Sequence, residues 1–184
     1  LREKFILLYA GAHGISNDLQ MVIHAAKMVE QHQDIVFVFV GDGKEKPNLI
    51  ELAKSLRTKN VIFIDSVPKN EMANVLAAAD VCIAILKPID EYKTTYPNKV
   101  FDYMASGKPV ILAIDGVIRE VVEAAHCGIF REPGNPKALA NAALYMAEHR
   151  DDAMRMGLSG NKYLKEHFSR TVIAEKLLSV LTNM

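Results

Sequence analysis

The residues best suited to chemistry stand close together in Pro97-Asn98-Lys99-Val100-Phe101-Asp102. A proline at the entrance of a helix leaves the N–H groups of Asn98 and Lys99 as free donors in the first turn, and Lys99 adds a full positive charge there. A cation at a helix N-terminus opposes the helix dipole, which makes little structural sense unless an anion lies between them. Asp102 follows about one turn later and can face the same cleft. The plainer alternative is a solvated lysine and an aspartate that merely caps the helix charge.

Two glycine-bearing turns offer related chemistry. Gly11-Ala12-His13-Gly14 leads into a helix, so its backbone can approach a ligand closely and the helix start can supply N–H donors to an anion. Gly41-Asp42-Gly43 sets a carboxylate where a dinucleotide-binding fold would hold a ribose. Each could equally be a plain turn. The first lacks G-x-G-x-x-G and spaces its glycines G-x-x-G, which makes an NAD(P)-binding domain the second reading rather than the first.

These residues need elements to position them. Short, nearly all-apolar runs predict strands at Phe5–Ala10, Ile35–Val40, Val61–Ile64, Val81–Leu86, Val110–Ile114 and Gly128–Phe130. Helical spacing between them predicts helices over about 17–31, with Ser16 or Asn17 as N-cap, then 47–57, 68–79, 97–107 and 118–125. From Asn135 onward the pattern is helical only, ending in Ser169–Leu181. Regular alternation of strand and helix implies a doubly wound α/β fold with a six-stranded parallel sheet, Rossmann-like. Ligands of such sheets bind outside the carboxyl ends of the strands, so each of the turns above lies on the ligand side.

The 184 residues suffice for one domain with a real core, and no apolar run reaches the ~18 residues that a membrane helix needs. Twenty-two basic and twenty-two acidic residues cancel, so no net field recruits nucleic acid. Cys82 and Cys127 fall in apolar surroundings, which points to a reducing, cytoplasmic setting rather than a disulfide framework. Met21, Met28, Met72 and Met104 read as core filling, and the remaining histidines lack metal spacing.

Four segments occur in a telling order: Gly41-Asp42-Gly43; Asp80-Val81 before an apolar strand; Pro97 to Val110; and Pro133-Gly134-Asn135-Pro136 followed by Leu139-Ala140. Together they closely resemble the C-terminal domain of the group 1 (family 4) retaining glycosyltransferases of GT-B fold, over about residues 5 to 182. The resemblance implies transfer of a sugar from a nucleoside diphosphate sugar, UDP favoured, to a saccharide or lipid-linked acceptor with retention, in bacterial surface polysaccharide synthesis. Asp102 takes the place of the second glutamate of the family's E-x7-E motif, which binds the donor ribose; the first would fall at Thr94 and is absent. Thr95 and Tyr96 could offer hydroxyls to the sugar instead, and Val67 matches the position near the base. The family's basic residues around the first glycine loop are also missing, with His13 alone able to carry charge there. Lys99 is therefore the candidate catalytic cation, with the Gly11–Gly14 backbone as donor to the diphosphate and Gly41, Asp42 and Asn98 beside it. No D-x-D run holds a metal, and no cofactor is expected beyond the donor itself.

Family members are twice this long, and a missing half would explain the start at Leu1. The expected picture is a single donor-binding domain, 1–184, whose terminal helix (169–182) crosses to an N-terminal domain that carries the acceptor site and any peripheral contact with the inner membrane face. Such a half would bind donor without transferring sugar. The remaining alternatives are a non-catalytic nucleotide-binding module and an NAD(P)-binding or sugar-epimerising α/β domain.

Overall fold

The computed structural model describes residues 1 and 3–182, so Arg2, Asn183 and Met184 of the expected domain lie outside the described residues. Six parallel strands form one sheet in the order β3-β2-β1-β4-β5-β6. They are β1 (Phe5–Ala10), β2 (Ile35–Val40), β3 (Val61–Ile64), β4 (Val81–Ile85), β5 (Val110–Ala113) and β6 (Gly128–Phe130). The strand positions follow the apolar runs, with β4 and β5 each ending one residue early. The strand order reverses between β1 and β4, which puts the switch-point crevice at the carboxyl end of β1.

That crevice has a visible cause. β1 pairs with β2 along all six positions, but with β4 only at Leu7↔Val81 and Leu8↔Cys82. Where β1 and β4 part, the buried Tyr103 hydroxyl accepts from the Ala10 N–H at 3.3 Å and lies 3.2 Å from the Ala10 carbonyl and 3.4 Å from that of Ile83. One phenol thus satisfies backbone groups that have lost their ladder partners.

Among the described residues eight α-helices accompany the sheet: α1 (Leu19–Met28), α2 (Lys46–Ser55), α3 (Met72–Ala77), α4 (Asn98–Ala105), α5 (Val117–Ala124), α6 (Pro136–Glu148), α7 (Arg150–His167) and α8 (Arg170–Thr182). Alternate residues of each strand serve opposite faces. Phe5, Leu7 and Tyr9 pack with α1, α2 and α6, whereas Leu8 and Ala10 pack with α3, α4 and α5. Met104 is buried and Met21 and Met72 are partly so, but Met28 stands exposed. Cys82 and Cys127 are free and buried.

Two helix starts differ from expectation. Ile15–Asn17 form a 3-10 turn, and α1 begins behind Asp18, which adopts φ +44° and makes no side-chain cap bond. Asn17 is drawn away from capping because its side-chain amide donates to the Ala12 carbonyl at 3.0 Å. Likewise Lys69–Glu71 form a 3-10 turn ahead of α3, which shortens that helix.

α4 is held firmly at its far end. It stops at Gly107 (φ +67°), where Lys108 N–H returns to the Tyr103 carbonyl at 3.0 Å. Asn161 of α7 then caps the Ala105 carbonyl at 2.6 Å. α7 comes this close because two of its positions lack side chains: a Cβ on Gly157 would lie 2.0 Å from the Gly107 carbonyl oxygen, and one on Gly160 would lie 2.7 Å from Cys127 Cβ. α8 buries no residue, and Ile173, Leu177, Leu178, Val180 and Leu181 are all at least half exposed. Among the described residues no helix is long and apolar enough to cross a membrane.

The contact at Gly157 sets the sign of a mutational effect. Alanine normally stabilises a helix interior over glycine by about 0.5–1 kcal/mol. Here Gly157→Ala should instead destabilise by about 1–3 kcal/mol, since its methyl meets backbone that cannot yield without moving α4. Urea unfolding should show a lower midpoint with unchanged slope; a raised midpoint would contradict the close packing of α7.

Candidate functional site

The site is built on two loops that behave as one. Beyond the strands, the β1–β2 ladder continues: Gly11 N–H donates to the Val40 carbonyl at 2.9 Å and His13 N–H to the Asp42 carbonyl at 2.8 Å. Glu45 N–H returns to the His13 carbonyl at 2.9 Å. Such closeness excludes side chains. A Cβ on Gly41 (φ +147°) would lie 2.0 Å from the Gly11 carbonyl oxygen, and one on Gly43 (φ +154°) 2.6 Å from that of His13. Gly41-Asp42-Gly43 is therefore more than a turn; it is the bed on which Gly11–Gly14 rests. Asp42 closes its own turn by accepting from Gly43 N–H at 2.7 Å, and its side chain is otherwise exposed.

Beneath this bed lies Lys46, a residue to which the sequence drew no attention. Its buried ammonium donates to the Gly41 carbonyl at 2.9 Å, the Ile64 carbonyl at 3.3 Å and the Asp65 carboxylate at 2.6 Å. It thereby clamps the carboxyl ends of β2 and β3. A lysine in the first turn of a helix, against the dipole, was the signal available in the sequence.

His13 does not present a charge to the cleft. Its side chain is fully buried among the rings of Tyr9, Phe39 and Phe63, with centroids 6.0, 6.3 and 6.3 Å away. Neither ring nitrogen has a partner among the described residues. Burial, with a smaller contribution from the Lys46 charge, pulls the imidazole down to about 4. The ring is a neutral plug beneath the loop, and the His13 backbone is committed as well, its N–H to the Asp42 carbonyl and its carbonyl to Glu45 N–H.

Lys99 supplies the charge. From the second position of α4 its side chain crosses the edge of the sheet, and Nζ donates to the Tyr9 hydroxyl at 2.7 Å. The ammonium lies 4.0 Å from the Tyr9 ring centroid, a cation–π contact. Passage over Gly11 is possible because that residue has no side chain; a Cβ there would sit 3.0 Å from Nζ. Among the described residues Lys99 has no carboxylate partner within ion-pair distance. Burial lowers its pKa to about 8. A desolvated ammonium with one neutral acceptor has two donors left for an anion.

The helix start beside it is open as expected. Pro97 precedes α4 without a side-chain cap, and Val100 N–H, not Asn98 or Lys99, takes the first turn bond to the Pro97 carbonyl at 3.0 Å. Asp102 is exposed one turn on, with no side-chain hydrogen bond among the described residues. Thr94 spends its hydroxyl within its own 3-10 turn, donating to the Glu91 carbonyl at 3.2 Å. Thr95 is half-buried and Tyr96 exposed, its ring 6.4 Å from that of Phe101. Val67 is half-buried beyond the end of β3, against the face that carries α4. No group of three or more His, Cys, Asp or Glu side chains among the described residues converges as a metal site.

Comparison with known proteins gives a consistent picture. The family model described as "Glycosyl transferases group 1" matches residues 4–149. N-acetyl-alpha-D-glucosaminyl L-malate synthase of Bacillus anthracis is 25% identical over 183 residues, which is 91% of this chain and 45% of that protein. The putative teichuronic acid biosynthesis glycosyltransferase TuaH of Bacillus subtilis (strain 168) is 27% identical over 110 residues, 60% of this chain and 27% of that one. Among solved structures, Anabaena HepE in complex with UDP shares the fold with a TM-score of 0.87 at 18% identity, over 99% of this chain and 50% of that chain. The same protein was crystallised with UDP-glucose. The chain spans half or less of each of these relatives.

The neutral His13 makes stability depend on pH. Its folded pKa lies below the unfolded value, so the unfolded chain binds the extra proton first. Stability is full above about pH 6.5 and should fall on the order of 2 kcal/mol as pH drops toward about 4. In His13→Phe this part of the slope should vanish when urea unfolding is compared at pH 7 and pH 5. An unchanged slope would show that the imidazole is already protonated, or solvated, in the folded chain.

Proposed function

This chain belongs to the group 1 glycosyl transferases, and from that premise we propose that it is the donor-binding half of an enzyme moving a sugar from a UDP-sugar to a saccharide or lipid-linked acceptor. The observation that carries the reading is the Lys99 ammonium, desolvated, without a counter-ion among the described residues, and held above the Gly11–Gly14 backbone at the switch point of the sheet. The ligand proposed there is the diphosphate of the donor. Lys99 takes its charge, the Gly11–Gly14 backbone and the open N–H groups of Asn98 and Lys99 line it, and Asp102 accepts from the ribose hydroxyls. The base lies toward Val67 and the Gly41-Asp42 turn, and the sugar toward Thr95 and Tyr96. The UDP-glucose bound by HepE supports a UDP-sugar as donor.

In the reaction the sugar–phosphate bond breaks and negative charge accumulates on the departing diphosphate. Lys99 and the helix-terminal N–H groups stabilise it where they stand, without reorganising. The reading includes retention at the anomeric carbon and no metal or cofactor. The setting proposed is bacterial surface polysaccharide synthesis at the inner face of the membrane, which the teichuronic acid relative supports by its name. An N-terminal domain would supply the acceptor wall and meet the apolar residues along α8. Without that wall, closure cannot expel water or bring an acceptor hydroxyl into reach, so the chain alone binds donor and leaves the sugar in place.

Calorimetry with UDP tests the site. Lys99→Met and Asp102→Ala should each lose about 1.5–3 kcal/mol, or about 10- to 150-fold in affinity, with the fold intact. Equal affinity in wild type and both variants would misplace the site. The pH profile adds a sign. Lys99 is charged below about pH 8, so wild-type affinity should hold from pH 6 to 7.5 and fall above about 8, while Lys99→Met stays flat. With radiolabelled UDP-sugars, no transfer by residues 1–184 is expected; turnover matching a two-domain relative would overturn the half-enzyme reading.

A further inference from the structure

Tyr9 interrupts an otherwise aliphatic end of β1, Leu7-Leu8-Tyr9-Ala10, and its side chain lies on the face opposite α4. A strand position buried this deeply is ordinarily filled by an apolar residue, and a phenol there needs partners. It has two. The hydroxyl donates to the Ala12 carbonyl at 2.8 Å, and it accepts from Lys99 Nζ at 2.7 Å. A single oxygen therefore joins the glycine loop to a cation that starts from the other face of the sheet, 90 residues away in sequence.

The geometry points to Tyr9 as a positioning residue for the nucleoside diphosphate: its hydroxyl, met by Lys99 across the bare surface of Gly11, holds the ammonium over the loop before the anion arrives. This rests on the donor-site reading above and adds to it the element that pre-places the charge. Two features separate such placement from simple packing. The ring lies under the ammonium at 4.0 Å, so face and hydroxyl both attract the cation. The Ala12 carbonyl accepts from Tyr9 and, at 3.0 Å, from the Asn17 amide, so the loop that the hydroxyl holds is itself anchored at that carbonyl. A lysine on a flexible four-carbon stem would otherwise have to be ordered on binding, at a cost in affinity.

A double-mutant cycle with UDP as titrant tests this, using wild type, Tyr9→Phe, Lys99→Met and the double variant of the 184-residue chain, with urea unfolding of each as control. Tyr9→Phe keeps the ring and removes the oxygen, and should weaken UDP about 3- to 10-fold in the wild-type background. In the Lys99→Met background the same change should alter affinity by less than about 1.5-fold. A loss of equal size in both backgrounds would make Tyr9 a structural residue and overturn the proposal, as would unchanged affinity in Tyr9→Phe. Lys99→Arg gives a second route that leaves the strand untouched, because its planar fork differs in shape from the compact ammonium that meets the phenol oxygen above Gly11. It should bind UDP at least about 3-fold more weakly than wild type although the charge is kept, and wild-type affinity would overturn pre-placement. Failure of wild type itself to bind UDP is a separate result, because it removes the donor-site reading and the role of Tyr9 with it.

Discussion

No side chain can stand where the loops after β1 and β2 meet. Gly41 faces the Gly11 carbonyl and Gly43 faces that of His13, each at a distance that a Cβ would reduce to an overlap. The loops are consequently zipped by peptide groups, Gly11 to Val40 and His13 to Asp42, as an extension of the strand ladder. Backbone held by backbone is stiffer than backbone held by side chains, since no rotamers have to be fixed. The other parts of the site take their places from it. Lys46 ties its lower side, His13 fills the space beneath, and the open face of Gly11 leaves the passage through which Lys99 crosses.

Burial acts on His13 and Lys99 in one direction, toward the neutral form. His13 is fully committed to it, with its pKa near 4 and three aromatic rings around it. Lys99 is poised, with its pKa near 8, because the phenol of Tyr9 is an acceptor but brings no charge. Desolvating a cation without pairing it is unfavourable in the free chain, and the arrival of an anion relieves it. The environment of Lys99 is thus one that negative charge would stabilise.

The helix that carries Lys99 and Asp102 owes its position to contacts at its far end. Its far end is capped by Asn161, and α7 reaches it across Gly157 and Gly160, where backbone and Cβ atoms leave no room for a side chain. Tyr103, from the same helix, holds β1 and β4 together at the point where their ladder stops. The late helical segment therefore serves as a brace for α4, while α8 beyond it keeps its apolar side chains exposed.

Much of this was legible in the residues. Continuous apolar runs gave all six strands to within a residue at either end, because a strand covered on both faces must be apolar throughout. Pro97 and Gly107 marked the limits of α4. These are local properties, written over a few neighbouring positions. Helix starts are less legible where a side chain has a better partner elsewhere, as with Asn17, whose amide serves Ala12 rather than α1. What only the tertiary structure decided was the pairing of distant residues: Lys99 with Tyr9, Lys46 with the ends of β2 and β3, and His13 as a plug instead of a charge. The strand order brings β1 beside β4, so the helix after β4 lies against a loop that precedes it by more than eighty residues, and no spacing along the chain encodes which side chain crosses that gap.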